Sequence, residues 1–226
     1  MSSLALTPNQ IASYIDHTLL RADATAADIT KLCSEAREYS FYCVCVNSSW
    51  VRLARGLLEA SSVKVASAAG FPLGAASTAA KCFETKSAVD DGAQEIDVVL
   101  NVGRLKQQDN AYILRELREI VGAAAGHTVK VILETCLLTR DEKVRACLLV
   151  VDSGAHFVKT STGFGSAGAT VEDVALLRKT VGPEFGVKAS GGIRDAKTAL
   201  AMIEAGASRI GTSAGVAIIK GILSPD

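Results

Sequence analysis

The 226-residue chain carries no surplus of either charge: 24 lysines and arginines stand against 24 aspartates and glutamates. Without a basic stripe there is no electrostatic footprint for nucleic acid or for an anionic membrane surface, and a small soluble partner fits better. No apolar run approaches the ~18 residues of a membrane span. The opening MSSLALTPNQ has neither the basic nor the apolar stretch of a secretory leader. Six cysteines form no Cys-x-x-Cys pair, and the three histidines, His17, His127 and His156, lie far apart in sequence. That removes the usual zinc signatures and leaves reduced thiols in a cytoplasmic protein as the expectation. Proline is scarce, with four residues at 8, 72, 183 and 225. No Pro-rich linker, charge block or low-complexity tract divides the chain, so residues 1–226 read as one domain.

What is present is a rhythm. Short β-branched runs recur eight times: YIDHTLL (14–20), FYCVCVN (41–47), SVKVASAAG (62–70), EIDVVLN (95–101), TVKVILET (128–135), FVKTST (157–162), GVKASGG (186–192) and SRIGTS (208–213). Amphipathic segments fall between them, at 25–38, 48–60, 77–90, 107–124, 139–152, 170–181, 195–204 and 214–223. Alternating strand and helix predicts a parallel sheet, and eight such units predict a closed (β/α)8 TIM barrel, with a short extra helix over 7–13. Thr25-Ala-Ala-Asp28, Thr139-Arg-Asp-Glu142 and Thr170-Val-Glu-Asp173 each set a capping hydroxyl three residues ahead of a carboxylate. Three helices then end alike, at Gly92, Gly154 and Gly206, each followed by alanine and a strand. Glycine there suits the left-handed residue that terminates a helix. Five residues beyond these glycines lie Asp97, Lys159 and Gly211, which the repeat places at equivalent positions on their strands.

The working face of such a barrel lies at the C-terminal ends of its strands. Four lysines sit in strand-like runs, and Lys64 and Lys130 come early whereas Lys159 and Lys188 come late. Only the later two are expected at the mouth. A strand lysine commonly snorkels to water or forms a structural pair. Two late lysines on consecutive strands suggest more, because a like charge and burial both lower an ammonium pKa and release a nucleophilic amine. Asp97, set between Ile96 and Val98, needs a cationic or hydrogen-bonding partner, and a carboxylate paired with lysine can also relay protons. Asp16 and Thr18 share one face of the first strand and stand as supporting residues behind this group. After strands seven and eight the chain reads SGGIRD and GTSAG, with Thr162-Gly163 beside them after strand six. These are the loops where barrels commonly hold phosphate, although glycine pairs also serve as plain tight turns.

IDHTLL, EIDVVLNVG, VILET, FVKTSTGF, GVKASGGIR and RIGTSAG, in this order over essentially the whole chain, resemble the class I, Schiff-base-forming deoxyribose-phosphate aldolase family. The resemblance implies a TIM barrel that reversibly cleaves 2-deoxy-D-ribose 5-phosphate to D-glyceraldehyde 3-phosphate and acetaldehyde. It implies no metal and no cofactor, sugar-phosphate and aldehyde substrates as the partners, and a possible homo-oligomer. It assigns the Schiff base to Lys159, the second active-site lysine to Lys188 and the proton relay to Asp97. Phosphate contacts fall on Gly163, Gly191, Gly192, Gly211 and Ser213. Two rivals stand beside it: a sugar-phosphate isomerase barrel using acid–base chemistry without a covalent lysine, and a non-catalytic barrel that binds sugar phosphate. Cys43 and Cys45 read as small core residues, and for Cys45, the nearer to the strand end, contact with aldehydes is the lesser alternative. Trp50, His17 and His156 read as structural.

Overall fold

The computed structural model describes residues 6–223. Part of the stretch read for a leader, residues 1–5, lies outside them, as do residues 224–226. Eight strands form one closed parallel barrel in sequence order: β1 (Ile15–Leu19), β2 (Cys43–Val46), β3 (Lys64–Ala69), β4 (Glu95–Val99), β5 (Thr128–Ile132), β6 (Phe157–Lys159), β7 (Gly186–Ser190) and β8 (Arg209–Thr212). Ten helices accompany them: α1 (Pro8–Ala12), α2 (Ala26–Glu38), α3 (Val51–Leu57), α4 (Thr78–Asp90), α5 (Val102–Lys106), α6 (Asn110–Ala123), α7 (Arg140–Asp152), α8 (Val171–Val181), α9 (Ala196–Glu204) and α10 (Gly215–Leu223). This is the (β/α)8 TIM barrel expected from the repeat. Among the described residues no helix is long and apolar enough to cross a membrane.

Local chemistry explains the boundaries. Thr25 and Asp28 form a reciprocal capping box on α2, and Thr139 and Glu142 form another on α7. The third predicted box is half made: Thr170 accepts the Asp173 N–H, but the Asp173 carboxylate turns to Lys143 at 2.5 Å. Gly92, Gly154 and Gly206 stand one residue past their helix caps with φ of +105°, +85° and +110°. One segment departs from the sequence reading. The helix predicted over 107–124 is α6 alone, and a separate turn of helix, α5, precedes it because the Asn101 side chain accepts the Arg104 N–H and caps a new start.

Side chains alternate with period two along each strand. Outward positions such as Val44, Val65, Ile96, Val98, Val129, Val131, Val158 and Val187 are buried against the helix ring and make the main apolar core. Each is worth ~1.5–3 kcal/mol when fully buried. Inward positions are unusual for a barrel, whose interior is ordinarily filled by layers of branched apolar side chains. Here β2 and β3 contribute only Cys43, Cys45, Ala66 and Ala68. The room those small residues leave is filled by long charged side chains from the other six strands.

Candidate active site

Seven charged side chains meet inside the barrel: Asp16, Glu95, Asp97, Lys130, Lys159, Lys188 and Arg209, each buried. Asp97 lies at their centre. Its Oδ2 accepts from Lys159 Nζ at 2.7 Å and from Lys188 Nζ at 2.7 Å, and its Oδ1 accepts from Lys130 Nζ at 2.8 Å. Lys188 donates also to Asp16 Oδ2 at 2.5 Å, and Arg209 donates to Asp16 Oδ1 at 2.9 Å. Beneath them Glu95 takes Lys130 at 2.6 Å and Arg209 at 3.3 Å. The Arg209 guanidinium lies 3.5 Å from the centre of the Tyr42 ring, so a cation–π contact closes the network from below.

Three carboxylates face four cationic groups in this enclosure. If all were ionised, the interior would hold one uncompensated positive charge, which a low-dielectric site disfavours. Of the four cationic groups, Lys159 is the one whose pKa is lowered. Burial lowers its pKa, and the neighbouring Lys188 ammonium lowers it further, against the pull of Asp97. Lys188 moves the other way: burial opposes its charge, but Asp16 and Asp97 outweigh that cost and hold it protonated. Asp97 is likewise held well below the usual carboxylate range, because Lys130, Lys159 and Lys188 together outweigh its burial. The arrangement therefore sets an amine of lowered pKa beside an ammonium and a carboxylate that are both held charged. Replacing a buried ionic network by apolar side chains is often neutral or stabilising by about 1–4 kcal/mol. The interior charge is therefore poorly accounted for by stability and well accounted for by chemistry.

Above Lys159 opens a cavity of about 290 Å³. Thr18, Gly163, Gly191, Gly192, Gly211 and Ser213 line it together with Lys159. Thr18 also donates its hydroxyl to the Asp16 carbonyl at 2.8 Å. All ten residues singled out in the sequence thus fall in the charged cluster or on this cavity. Gly211 occupies an inward position where a Cβ would stand 3.0 Å from Lys188 Cε, so its lack of a side chain is what admits the lysine. The loops after β6 and β7 interlock, since Ala169 N–H donates to the Ser190 carbonyl at 3.0 Å and a Cβ on Gly168 would meet the Gly191 carbonyl at 2.1 Å. One detail of the glycine loops differs from expectation. Asp195 already caps α9, accepting the Thr198 N–H at 2.8 Å, so the Gly191–Gly192 stretch itself lines the cavity in place of the helix end. α10 begins at Gly215, directly behind Ser213.

Sequence reasoning set Lys130 apart from the mouth, and the structure brings it in. Lys130 pairs in register with Asp97 on β4, so both face inward and the four-carbon stem reaches the carboxylate from below. Glu95 and Arg209 were also missed. The available signal was alternation, because each lies two residues before an inward position already identified, Asp97 or Gly211. Lys64 stays at the barrel floor, half-exposed and bonded to Tyr42 Oη at 2.8 Å. Asp16, Cys43 and Glu95 offer ligand atoms within 4.8 Å of one another. Both carboxylates are already engaged by Lys130, Lys188 and Arg209 as ion-pair acceptors, and the Cys43 thiol donates to the Val44 carbonyl at 3.1 Å. Cys45 is buried within the barrel, and burial pushes its thiol up. His17 Nε2 lies 2.8 Å from Glu35 and His156 Nδ1 accepts the Val129 N–H at 3.0 Å, both structural contacts on the outer side. Trp50 packs against the apolar core.

A lowered-pKa lysine under a glycine-walled cavity is the arrangement of an imine-forming enzyme, and comparison with known proteins agrees. The family model for DeoC/LacD family aldolases matches residues 10–223. The chain belongs to the DeoC/LacD aldolase family. It is 60% identical to the deoxyribose-phosphate aldolase of Alkaliphilus oremlandii, over 93% of this chain and 95% of that one. Among solved structures it resembles the aldolase QR15, with a TM-score of 0.91 and 41% identity over 94% of this chain and 96% of that chain. It also resembles the tetrameric deoxyribose phosphate aldolase of Aeropyrum pernix, with a TM-score of 0.91 and 37% identity over 96% and 93% of the two chains.

Proposed function

We propose that this family member is a class I aldolase that reversibly cleaves 2-deoxy-D-ribose 5-phosphate to D-glyceraldehyde 3-phosphate and acetaldehyde. The observation that carries the reading is the position of Lys159, a buried amine of lowered pKa at the base of a cavity walled by the glycine loops after β6 and β7 and by Gly211 of β8. In this mechanism the neutral Lys159 amine attacks the C1 aldehyde of the open-chain sugar, and loss of water from the carbinolamine leaves a protonated imine. The C3 hydroxyl gives up its proton to the Asp97–Lys188 pair, directly or through one water. The C3–O electrons form the carbonyl of glyceraldehyde 3-phosphate, the C2–C3 bond breaks, and its electron pair passes through C2 to the imine nitrogen. An enamine of acetaldehyde remains on Lys159. Protonation at C2 and hydrolysis release acetaldehyde and restore the amine.

Asp97 is held well below the usual carboxylate range by its lysine neighbours and is a poor base on its own, so its part is to orient Lys159 and Lys188 and to take the proton as a member of that unit. Gly163, the Gly191–Gly192 stretch, Gly211 and Ser213 are assigned to the 5-phosphate, which backbone amides and the start of α10 suit. The same proposal includes a homo-oligomer, supported by the tetrameric Aeropyrum pernix neighbour and by the exposed apolar Phe83, Leu148 and Val151. Light scattering at assay concentrations is expected to give a mass above 23.5 kDa, and a monomer would remove that part.

The activity is tested by supplying 2-deoxyribose 5-phosphate and measuring both products. Acetaldehyde and glyceraldehyde 3-phosphate are expected in equal amounts, with activity retained in EDTA because the protonated imine is the electron sink. An altered pentose phosphate without acetaldehyde would make the protein an isomerase. Binding without turnover would make it a sensor.

A further inference from the structure

Two residues past the end of β5 stands a glutamate that the proposed mechanism does not use. Glu134 is buried, and its backbone is left-handed, with φ +55° and ψ +65°. Residues with a Cβ seldom adopt that conformation, and those that do cluster where geometry is imposed for function. None of the hydrogen-bond partners of its carboxylate is a cation. Oε1 accepts the Thr162 N–H at 3.3 Å, and Oε2 accepts the Thr162 hydroxyl. That hydroxyl in turn accepts the Phe164 N–H at 3.0 Å. One carboxylate therefore ties down both sides of Gly163, which has φ +86° and lines the cavity above Lys159. The chain then passes so close over Glu134 that a Cβ on Gly165 would lie 3.1 Å from its Cδ.

We infer that Glu134 is a positioning residue for phosphate selectivity: it fixes the Thr162–Phe164 turn so that Gly163 faces the anion, while the glutamate itself stands outside that cavity. This rests on the proposed aldolase reading. A carboxylate is the group the site needs, because the Thr162 N–H and O–H both require acceptors and a carboxylate offers two. Glutamine has the same shape but turns an NH₂ toward one of these donors. A role in filling space would survive that change, whereas a role in holding the turn would not.

The experiment measures kcat/KM for deoxyribose 5-phosphate and for unphosphorylated deoxyribose in the wild type, Glu134→Gln and Glu134→Ala, with inorganic phosphate as a competitive inhibitor. The ratio of the two kcat/KM values is expected to fall about tenfold in Glu134→Gln and further in Glu134→Ala. The inhibition constant for phosphate is expected to rise in parallel. Equal losses on both substrates would overturn the inference, as would an unchanged ratio and inhibition constant. Should Glu134→Ala fail to fold, the near-isosteric Glu134→Gln decides alone. A wild type that neither prefers the phosphorylated sugar nor responds to phosphate would overturn the phosphate reading of the site and this inference together. A wild type that does both, alongside variants that keep both, would remove only the role of Glu134.

Discussion

At the scale of single residues, the central feature is that three lysines share one aspartate and yet shift in opposite directions. Lys130 and Lys188 each have further carboxylates, Glu95 and Asp16 respectively, whereas Lys159 has only Asp97. That difference selects the amine whose pKa is lowered. It also fixes what Lys188→Leu should do. Removing this like charge takes away a lowering influence and leaves Asp97 freer to favour the protonated form of Lys159, so the Lys159 pKa rises. The ascending limb of the pH–rate profile is expected to move to higher pH, with a strong loss of turnover near neutrality. A variant with an unchanged profile and full activity would show that Lys188 does not tune its neighbour. Lys159 and Lys188 were legible in the sequence because each is a charged residue late in an apolar run, and Asp97 because a carboxylate set between Ile96 and Val98 needs a partner. Lys130 and Arg209 were not, since strand position reports where a Cα lies and says little about where a long stem carries its charge.

At the scale of elements, the strand ends and the loops behind them divide the work. β4, β6 and β7 supply Asp97, Lys159 and Lys188, and the loops after β6, β7 and β8 line the cavity. The helix caps and the three Gly-Ala hinges could be read directly, because capping is local and a hydroxyl three residues before a carboxylate leaves little alternative. The start of α5 was hidden by Gly103, which lowers helix propensity, although Asn101 marks it. The left-handed Glu134 was equally hidden, since nothing in VILET announces a positive φ. If the start of α10 and Ser213 meet the 5-phosphate, a carboxylate there repels a dianion and leaves imine formation at the other end of the sugar unopposed. Ser213→Asp is expected to raise KM for deoxyribose 5-phosphate about tenfold, equivalent to ~1.4 kcal/mol. The ratio of kcat/KM between phosphorylated and unphosphorylated deoxyribose should fall with it. Equal losses on both would mean that the loop supports the fold and does not read phosphate.

At the scale of the whole molecule, the barrel is an apolar shell around a charged interior. Eight units, their order and the closed sheet were foreseeable from periodicity, whereas the ion-pair partners join residues as far apart in sequence as Asp16 and Arg209. Such pairings become visible only when the sheet closes. The network gives the fold a signature in acid. Burial alone would raise the Asp16 pKa, but Lys188, Arg209 and Lys130 outweigh it and lower it to about 2. A carboxylate whose folded pKa lies below its unfolded value contributes stability above the unfolded value, and that contribution is lost as pH falls through the folded one. For Asp16 the window runs from about pH 4 to pH 2, with roughly 2 kcal/mol at stake. The gap in unfolding free energy between wild type and Asp16→Asn is expected to narrow across this window in urea titrations. A gap independent of pH would mean that Asp16 is not held ionised by its neighbours.

Everything in this account turns on the nitrogen of Lys159. The most direct measurement is to incubate the protein with 2-deoxyribose 5-phosphate, reduce with borohydride, digest and map the modified residue by mass spectrometry. Activity is expected to disappear as one sugar-derived adduct per chain accumulates, with the label on Lys159. A label on Lys188 or Lys130, or an active enzyme that borohydride never traps, would contradict it.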